Sequence, residues 1–417
     1  NDGSPSLKIP WIILMLILPI LGGIAYVCFG RTSVRKEEKA RMDELVQRGL
    51  KAAAKLDDAG ECLQQEAPQF AGQSHYIEWA NQRKPYTNTE CVYLPLGEVM
   101  FERLCEELKK ARHFIFMEYH AIEEAEAFGR IRDVLAERAA HGVEVRLFYD
   151  DVGSIGFIDP GFIKRMEAIG VECRVFNPVL PILNIFMNNR DHRKITVVDG
   201  KIGYTGGYNL ADEYFNITHP YGVWKDTGIR LVGDAVASLT VTFLQMWNAT
   251  AEADREFQTY FPKLDYRAAD TGFVQPYADG PLTDGYFAED VYLNLIKSAK
   301  HFFYAATPYL IISDDMTREL CLAAERGVDV RIVTPGIPDK KMIFLLTQSY
   351  YAPLIQSGVK IYQYTPGFIH AKCFVCDDEI ATVGSVNLDF RSLYLHFECG
   401  VFFYRSAVVA QVKEDCL

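Results

Sequence analysis

An internal repeat constrains this chain more than any other feature. Residues Phe101 to Glu118 read as a helix running into a short apolar strand, and Val291 to Ala306 give the same elements in the same order. Ala139 to Phe148 match Ala324 to Val333; in each, a glycine (Gly142, Gly327) ends a helix and a β-branched strand follows. Gly170 to Phe176 parallel Gly358 to Tyr364. Three matches kept in register at an offset of about 180 residues mark a duplication. Helices alternating with short apolar strands predict an α/β fold of sheets flanked by helices.

The 417 residues suggest two or three globular units, and a hydrophobic fraction of 49% supplies ample core. The expected divisions are a membrane anchor over 1–33, a juxtamembrane helix and linker over 34–90, a first half over 91–250, a linker rich in Asp, Gly, Pro and Ala over 251–285, and a second half over 286–417. Ile9 to Phe29 holds no charged residue and matches the roughly 20 residues of a transmembrane helix. Lys8 alone precedes it, whereas Arg31, Arg35, Lys36, Lys39 and Arg41 follow, which predicts a cell-membrane protein with its remainder on the cytoplasmic side. The sequence opens at Asn1 and not at a methionine, so residues upstream are expected. Val34 to Asp58, with Met42, Leu45, Val46 and Leu50 on one side, is expected to form a solvated juxtamembrane helix.

A net charge of -12 argues against sequence-independent nucleic-acid binding, which draws its affinity from neutralising phosphates. Ten cysteines show no framework spacing. Cys373 and Cys376 form a lone C-x-x-C with only His370 nearby, which predicts buried thiols in place of zinc. No metal-ligand cluster is apparent, and no cofactor is expected.

The chemistry lies in two arrays. His192-Arg-Lys194 has Asp199 five residues past the lysine, then Gly206-Gly-Tyr-Asn209; His370-Ala-Lys372 has Asp377, then Gly384-Ser385-Val-Asn387. Both fit H-x-K-x-x-x-x-D with the same downstream glycine and asparagine, so coincidence is negligible. In a strand, residues i and i+2 share a face, so each histidine faces with its lysine. Pairing of the halves about an approximate two-fold would bring both faces to one cleft. Two imidazoles, two ammonium groups and the amides of Asn209 and Asn387 then suit a phosphate. One imidazole can attack phosphorus while the other protonates the departing alcohol. An attacking imidazole needs its other nitrogen held by an acceptor, and Asp226 and Glu398 are candidates for that role. Asp199 and Asp377 are grouped with the catalytic set, although each sits at a turn and reads as holding the loop. The remaining seven histidines suggest no function.

These residues resemble the phospholipase D superfamily, whose signature is the doubled motif, and most closely the bacterial cardiolipin synthase branch. Asn189 to Gly207, Thr307-Pro-Tyr309, Gly327 to Gly336, Pro366 to Lys372 and Val383 to Ser392 carry the likeness. It implies a duplicated phospholipase D-like α-β-α sandwich with a pseudo-two-fold axis. It also implies a transferase that joins two phosphatidylglycerols into cardiolipin and releases glycerol. The family has two N-terminal spans where one is visible here, and Gly207 stands where the superfamily often has Ser. Transposed to this chain, His192 would attack phosphorus and His370 would protonate glycerol, the near-symmetry permitting the reverse. Ser385 joins the asparagines and the two orienting carboxylates around the phosphate. Phosphatidylglycerol and membrane lipid are the implied partners, with the second lipid and the oligomeric state left open. A phospholipase D hydrolase, a transphosphatidylase using a different acceptor, a superfamily nuclease and a non-catalytic scaffold are the rivals. Two apolar runs, Val179 to Met187 and Met342 to Leu346 after Lys340 and Lys341, are candidates to seat in a lipid interface.

Overall fold

A computed structural model describes residues 5–29, 36–54, 59–178, 189–251, 253–254, 256–269, 272–283 and 285–417. The run Val179 to Met187 and the basic residues Arg31 and Arg35 lie outside the described residues. Among the described residues, eighteen strands form in chain order. The first eight are β1 Thr89–Leu94, β2 Phe114–Tyr119, β3 Glu144–Asp150, β4 Glu172–Phe176, β5 Lys194–Val198, β6 Ile202–Gly206, β7 Val223–Lys225 and β8 Gly228–Gly233. The next five are β9 Phe273–Asp279, β10 Phe302–Ala306, β11 Leu310–Ile311, β12 Asp329–Pro335 and β13 Lys360–Tyr364. The last are β14 Gly367–Ile369, β15 Cys373–Cys376, β16 Ile380–Gly384, β17 Leu388–Asp389 and β18 Glu398–Tyr404.

Two seven-stranded sheets carry the duplication. The first runs β1-β8-β6-β5-β2-β3-β4, and the second, read from its far edge, runs β9-β18-β16-β15-β10-β12-β13. The orders correspond strand for strand, and β5 and β15 hold the central place in each. The α/β duplication expected from the repeat is therefore the architecture.

Side-chain alternation explains the layering. Ile195 and Val197 of β5 and Val375, Val383 and Val401 of the second sheet meet in one apolar core between the sheets, together with the helix Val236–Thr250. The opposite faces bury Ile115, Met117 and Val198 under the helices Gly97–Leu108 and Glu126–Ala140, and Phe303, Phe374 and Phe402 under Phe287–Ser298 and Asp314–Glu325. The strands are apolar on both faces because both faces are covered.

Three sequence expectations change. The apolar N-terminus is not one helix: Pro5–Ile17 and Pro19–Phe29 are separate, with Trp11 and Tyr26 in edge contact at 5.6 Å. Pro19 disfavours helical geometry at the residue before it. Among the described residues no helix is long and apolar enough to cross a membrane. The helix Lys36–Ala53 is not merely solvated, because Met42, Leu45 and Val46 are buried. It packs on Val236–Thr250 closely enough that a Cβ at Gly49 would press on Val241. Finally, the linker expected over 251–285 contains β9, buried throughout and paired with β18 as the edge of the second sheet. Its Asp- and Gly-rich flanks hide it, since only Phe273, Val274, Tyr277 and Ala278 signal a buried strand.

Candidate active site

Each motif histidine immediately precedes the central strand of its sheet, where two short pairings between the halves fix the backbone. The β7–β14 pair leads into Asp226 on one strand and His370 on the other, and the His370 N–H donates to the Lys225 carbonyl at 2.7 Å. Its counterpart is the Asp191–Phe397 bridge, where the His192 N–H donates to the Phe397 carbonyl at 2.9 Å. The symmetry has a chemical result. His192 of the first half has Nδ1 2.9 and 3.1 Å from the two carboxylate oxygens of Glu398 in the second. His370 of the second half has Nδ1 2.7 Å from Asp226 Oδ2 in the first. Sequence reasoning named both carboxylates; the exchange between halves is what the structure adds. With Nδ1–H donated to the acid, each Nε2 is the nitrogen available for chemistry.

The four cationic groups share one buried centre. The side chains of His192 and His370 are only 10% and 7% exposed, and Lys194 and Lys372 are buried. Each lysine ammonium donates to the carbonyl of its own histidine. Lys372 also acts electrostatically on His192, and Lys194 on His370, across the boundary between halves. Burial pulls Lys194 down to about 8 and Lys372 to about 7. Burial, reinforced by Lys372, lowers His370 to about 4, and His192 likewise falls well below the usual imidazole range. Glu398 is pushed up by its own burial, against the pull of Lys194 and two serine hydroxyls. Burial in this centre thus disfavours charge of either sign, and an anion among the lysines would favour their charged forms.

The halves differ in what surrounds each histidine. Ser385 and Ser392 donate to Glu398, so Ser385 is an orienting residue. Asp226 takes the Thr227 N–H at 2.8 Å, and it packs where a side chain at position 207 would stand. Gly207 in place of Ser is therefore required by the close approach of Asp226. Asn209 accepts from the Ala121 N–H at 3.1 Å and donates to the Tyr214 hydroxyl at 2.7 Å. Tyr214, Trp224 and Phe368 wall His370 with ring centroids 5.3, 5.3 and 5.9 Å away. Asn387 lies on the His192 side, its N–H bonded to Ser392 Oγ at 2.8 Å and its Oδ1 unpartnered.

Two residues were missed by the sequence. His120 and His396 place their rings 4.8 and 5.5 Å from that of His192. His120 Nδ1 is held by the Asp191 carbonyl at 2.7 Å, while neither ring nitrogen of His396 has a hydrogen-bond partner. His396 occupies the place that Trp224 takes beside His370, two residues before the orienting acid, a correspondence visible in the repeat once the acids are paired. Among the described residues His192, His396 and Glu398 bring ligand atoms within 4.8 Å of one another, although His192 and Glu398 already bind each other. Arg190 supports this side through a fork on buried Asp150 at 2.9–3.0 Å, and Asp150 in turn takes the Asp191 N–H at 2.9 Å.

Asp199 and Asp377 stand apart from the two histidines along the chain. Each lies beyond the far end of its central strand, roughly 20 Å along the chain from its histidine at about 3.3 Å per residue. Asp199 accepts three backbone N–H groups, from Arg112, His113 and Phe114, at 2.7–2.9 Å, and Asp377 accepts those of Lys300, His301 and Phe302 at 2.6–2.8 Å. Their carboxylates bind the turn that feeds β2 or β10, the loop-holding contact that their turn positions suggest. Cys373 and Cys376 are buried thiols, and burial pushes Cys376 up to about 12.

The family described as cardiolipin synthase, phospholipase D-like domain, matches residues 104–247 and 292–416, and the phospholipase D-nuclease N-terminal family matches 1–31. A cardiolipin synthase of Geobacillus thermodenitrificans is 36% identical over all of this chain and 83% of its own length. One from Alkalihalophilus pseudofirmus is 34% identical with the same coverage. A Streptococcus mutans protein of uncharacterized function is 40% identical over 98% of this chain and 88% of its own. The fold is shared with phosphatidylserine synthase of Haemophilus influenzae, with a TM-score of 0.59 at 14% identity over 82% of this chain and 89% of that one. The chain, with its two crossed histidine–carboxylate pairs, is a member of the cardiolipin synthase family of phospholipase D-like proteins.

Proposed function

We propose that this protein is a cardiolipin synthase that moves a phosphatidyl group from one phosphatidylglycerol to another. The observation that carries the reading is the pair of imidazoles, each held at Nδ1 by an acid of the opposite half, in one buried centre with two lysines. His192 Nε2 attacks phosphorus as the bond to the glycerol oxygen breaks, and His370 Nε2–H delivers its proton to that oxygen. Free glycerol leaves behind a phosphatidyl-histidine. Neutral His370 then takes the proton from a hydroxyl of the second phosphatidylglycerol, whose oxygen attacks phosphorus and releases His192. Lys194 and Lys372 offset the charge on the non-bridging oxygens. Glu398 and Asp226 stabilise each imidazolium as it forms. His370, lowered to about 4 by burial, must gain its proton with the substrate, and the phosphodiester anion supplies the field that raises it.

The asymmetry of the walls supports His192 as the nucleophile. Its acid is anchored by two serines and grips Nδ1 with both oxygens, whereas His370 Nδ1 is contested between Asp226 and Lys372 Nζ, both at 2.7 Å. A lipid substrate requires a membrane location. The exposed apolar helices Pro5–Ile17 and Pro19–Phe29 support membrane attachment, and the basic run from Arg31 to Arg41 supports a cytoplasmic catalytic part.

The test is to reconstitute the full chain in vesicles with phosphatidylglycerol labelled in its diacyl half and in its headgroup. Cardiolipin with an equimolar amount of glycerol is expected; phosphatidic acid alone would make the protein a hydrolase. A single-turnover reaction of His370→Ala should leave acid-labile lipid on His192. Label recovered from wild type on His370 would reverse the assignment.

A further inference from the structure

The helix Lys341–Ser349 is apolar in sequence, yet Thr347 is its one buried residue. Met342, Leu345 and Leu346 are 77%, 60% and 44% exposed. Their spacing of i, i+3 and i+4 puts them on one face. The helices Phe287–Ser298 and Asp314–Glu325 do the opposite and turn their apolar residues inward, Val291 and Leu295 in the first and Met316 and Leu320 in the second. Lys340 and Lys341 stand exposed where the helix begins. Ile337 and Val223 carry further exposed apolar surface nearby, and the bare backbone at Gly222 lies against Ile337.

This surface is tied to the reaction centre. The Ile337 N–H donates to the Gly367 carbonyl at 3.0 Å, and Gly367 opens β14, which runs into His370. Val223 opens β7, paired with β14, which runs into Asp226. Beneath the helix start, the Tyr309 hydroxyl donates to Asp339 at 2.6 Å, the Lys340 ammonium pairs with the same carboxylate at 2.7 Å and lies 5.5 Å from the Tyr309 ring, and Phe368 links Tyr309 to His370; Lys341 beside it carries the second charge.

The geometry points to Lys341–Ser349 as a membrane-docking helix for an anionic lipid surface. Met342, Leu345 and Leu346 enter the boundary between headgroups and acyl chains, and Lys340 and Lys341 meet lipid phosphates. Charge selects this occupant: a chain of net charge -12 places two adjacent lysines at the edge of its exposed apolar stripe. Docking would set the strand pair bearing His370 and Asp226 against the bilayer. The inference rests on the lipid reading of the site only for its purpose, and it adds the part of the fold that meets the membrane.

Hydrogen exchange of the full chain in nanodiscs, one chain per disc, tests it. Amides of 341–349 should exchange at least about fivefold more slowly in phosphatidylglycerol discs than in phosphatidylcholine discs. Lys340→Gln with Lys341→Gln should abolish that difference, as should high salt. Met342→Glu with Leu345→Glu should cut transfer from phosphatidylglycerol vesicles about tenfold or more, while turnover of short-chain monomeric phosphatidylglycerol stays within about twofold. Equal exchange in the two discs, or full vesicle activity in the doubly charged variant, overturns the inference. Protection that needs two chains per disc overturns it in favour of a second copy as occupant. If the glutamate variant loses both activities, exchange alone decides. If wild type makes no cardiolipin while 341–349 is protected, the catalytic reading fails and the docking stands.

Discussion

Asp226 packs directly against the backbone of Gly207, and a Cβ at that position would overlap its carboxylate. Ser385, the corresponding residue of the other half, has room to donate to Glu398. The same place in the repeat therefore supplies space in one half and a hydroxyl in the other.

Gly207→Ala is expected to displace Asp226 from His370. Forcing a methyl into a packed site costs about 1–3 kcal/mol, readable by urea denaturation. Turnover should fall far more than stability accounts for, because the His370 tautomer is no longer held. Near-wild-type kcat in a folded Gly207→Ala would remove Asp226 from its orienting role.

Glu398→Gln keeps an acceptor near His192 but removes the charge that stabilises its imidazolium. A fall in kcat of about 10³–10⁴-fold, with KM nearly unchanged, is expected by analogy with other acid–imidazole pairs. The mirror change, Asp226→Asn, should act mainly on protonation of the leaving group, so a substrate with a more acidic leaving alcohol should restore much of its rate. Equal sensitivity of the two variants to leaving-group acidity would contradict the assignment of roles.

Lys372 near 7 and Lys194 near 8 make anion binding pH-dependent. A bound phosphate favours the protonated amine, so binding at pH 8 takes up protons, and affinity weakens as pH rises through 7 to 8. Calorimetry with inorganic phosphate in buffers of different ionisation enthalpy measures this uptake directly. Proton release, or none, would mean that the lysines are already fully charged before phosphate binds.

The same depression bears on folding. Between about 7 and the usual lysine value the unfolded chain holds a proton that the folded chain lacks, so Lys372 makes stability rise with pH across that window. Below it the buried ammonium is a full cost. Lys372→Met should abolish turnover and remove this rise of stability between about pH 7 and the usual lysine value. An unchanged pH dependence of the melting temperature would refute this.

Asp199→Asn and Asp377→Asn each weaken a carboxylate that binds three backbone N–H groups. Losing charge-assisted bonds of this kind costs about 1–3 kcal/mol. Each variant, once folded, should keep the wild-type pH profile with less than about tenfold loss in kcat. A shifted profile would return the aspartates to the chemistry.

The repeat made the two duplicated α/β halves legible, because alternation and glycine-terminated helices are local signals; the central place of β5 and β15 was not, because strand order depends on pairing between remote segments. His192, Lys194, His370 and Lys372 announced themselves by spacing, and Asp226 and Glu398 by position. The exchange of acids between halves was not legible, since β7–β14 and the Asp191–Phe397 bridge join segments remote in sequence. His396 escaped notice because a lone histidine in an apolar stretch looks like core until its neighbour is known. The single N-terminal span failed on the local effect of Pro19. β9 failed because flanking turn residues outweighed a short buried strand.

The traded acids also bear on inheritance. Neither copy of the repeat contains a complete acid–imidazole unit, so a single copy could have worked only when paired with another. The copies nevertheless differ around their histidines, with an aromatic wall beside His370 and an imidazole cluster beside His192. The contacts across the seam stayed bound to one another. A lesion in either copy is therefore felt by the histidine of the other, and separately expressed halves should regain turnover only when mixed.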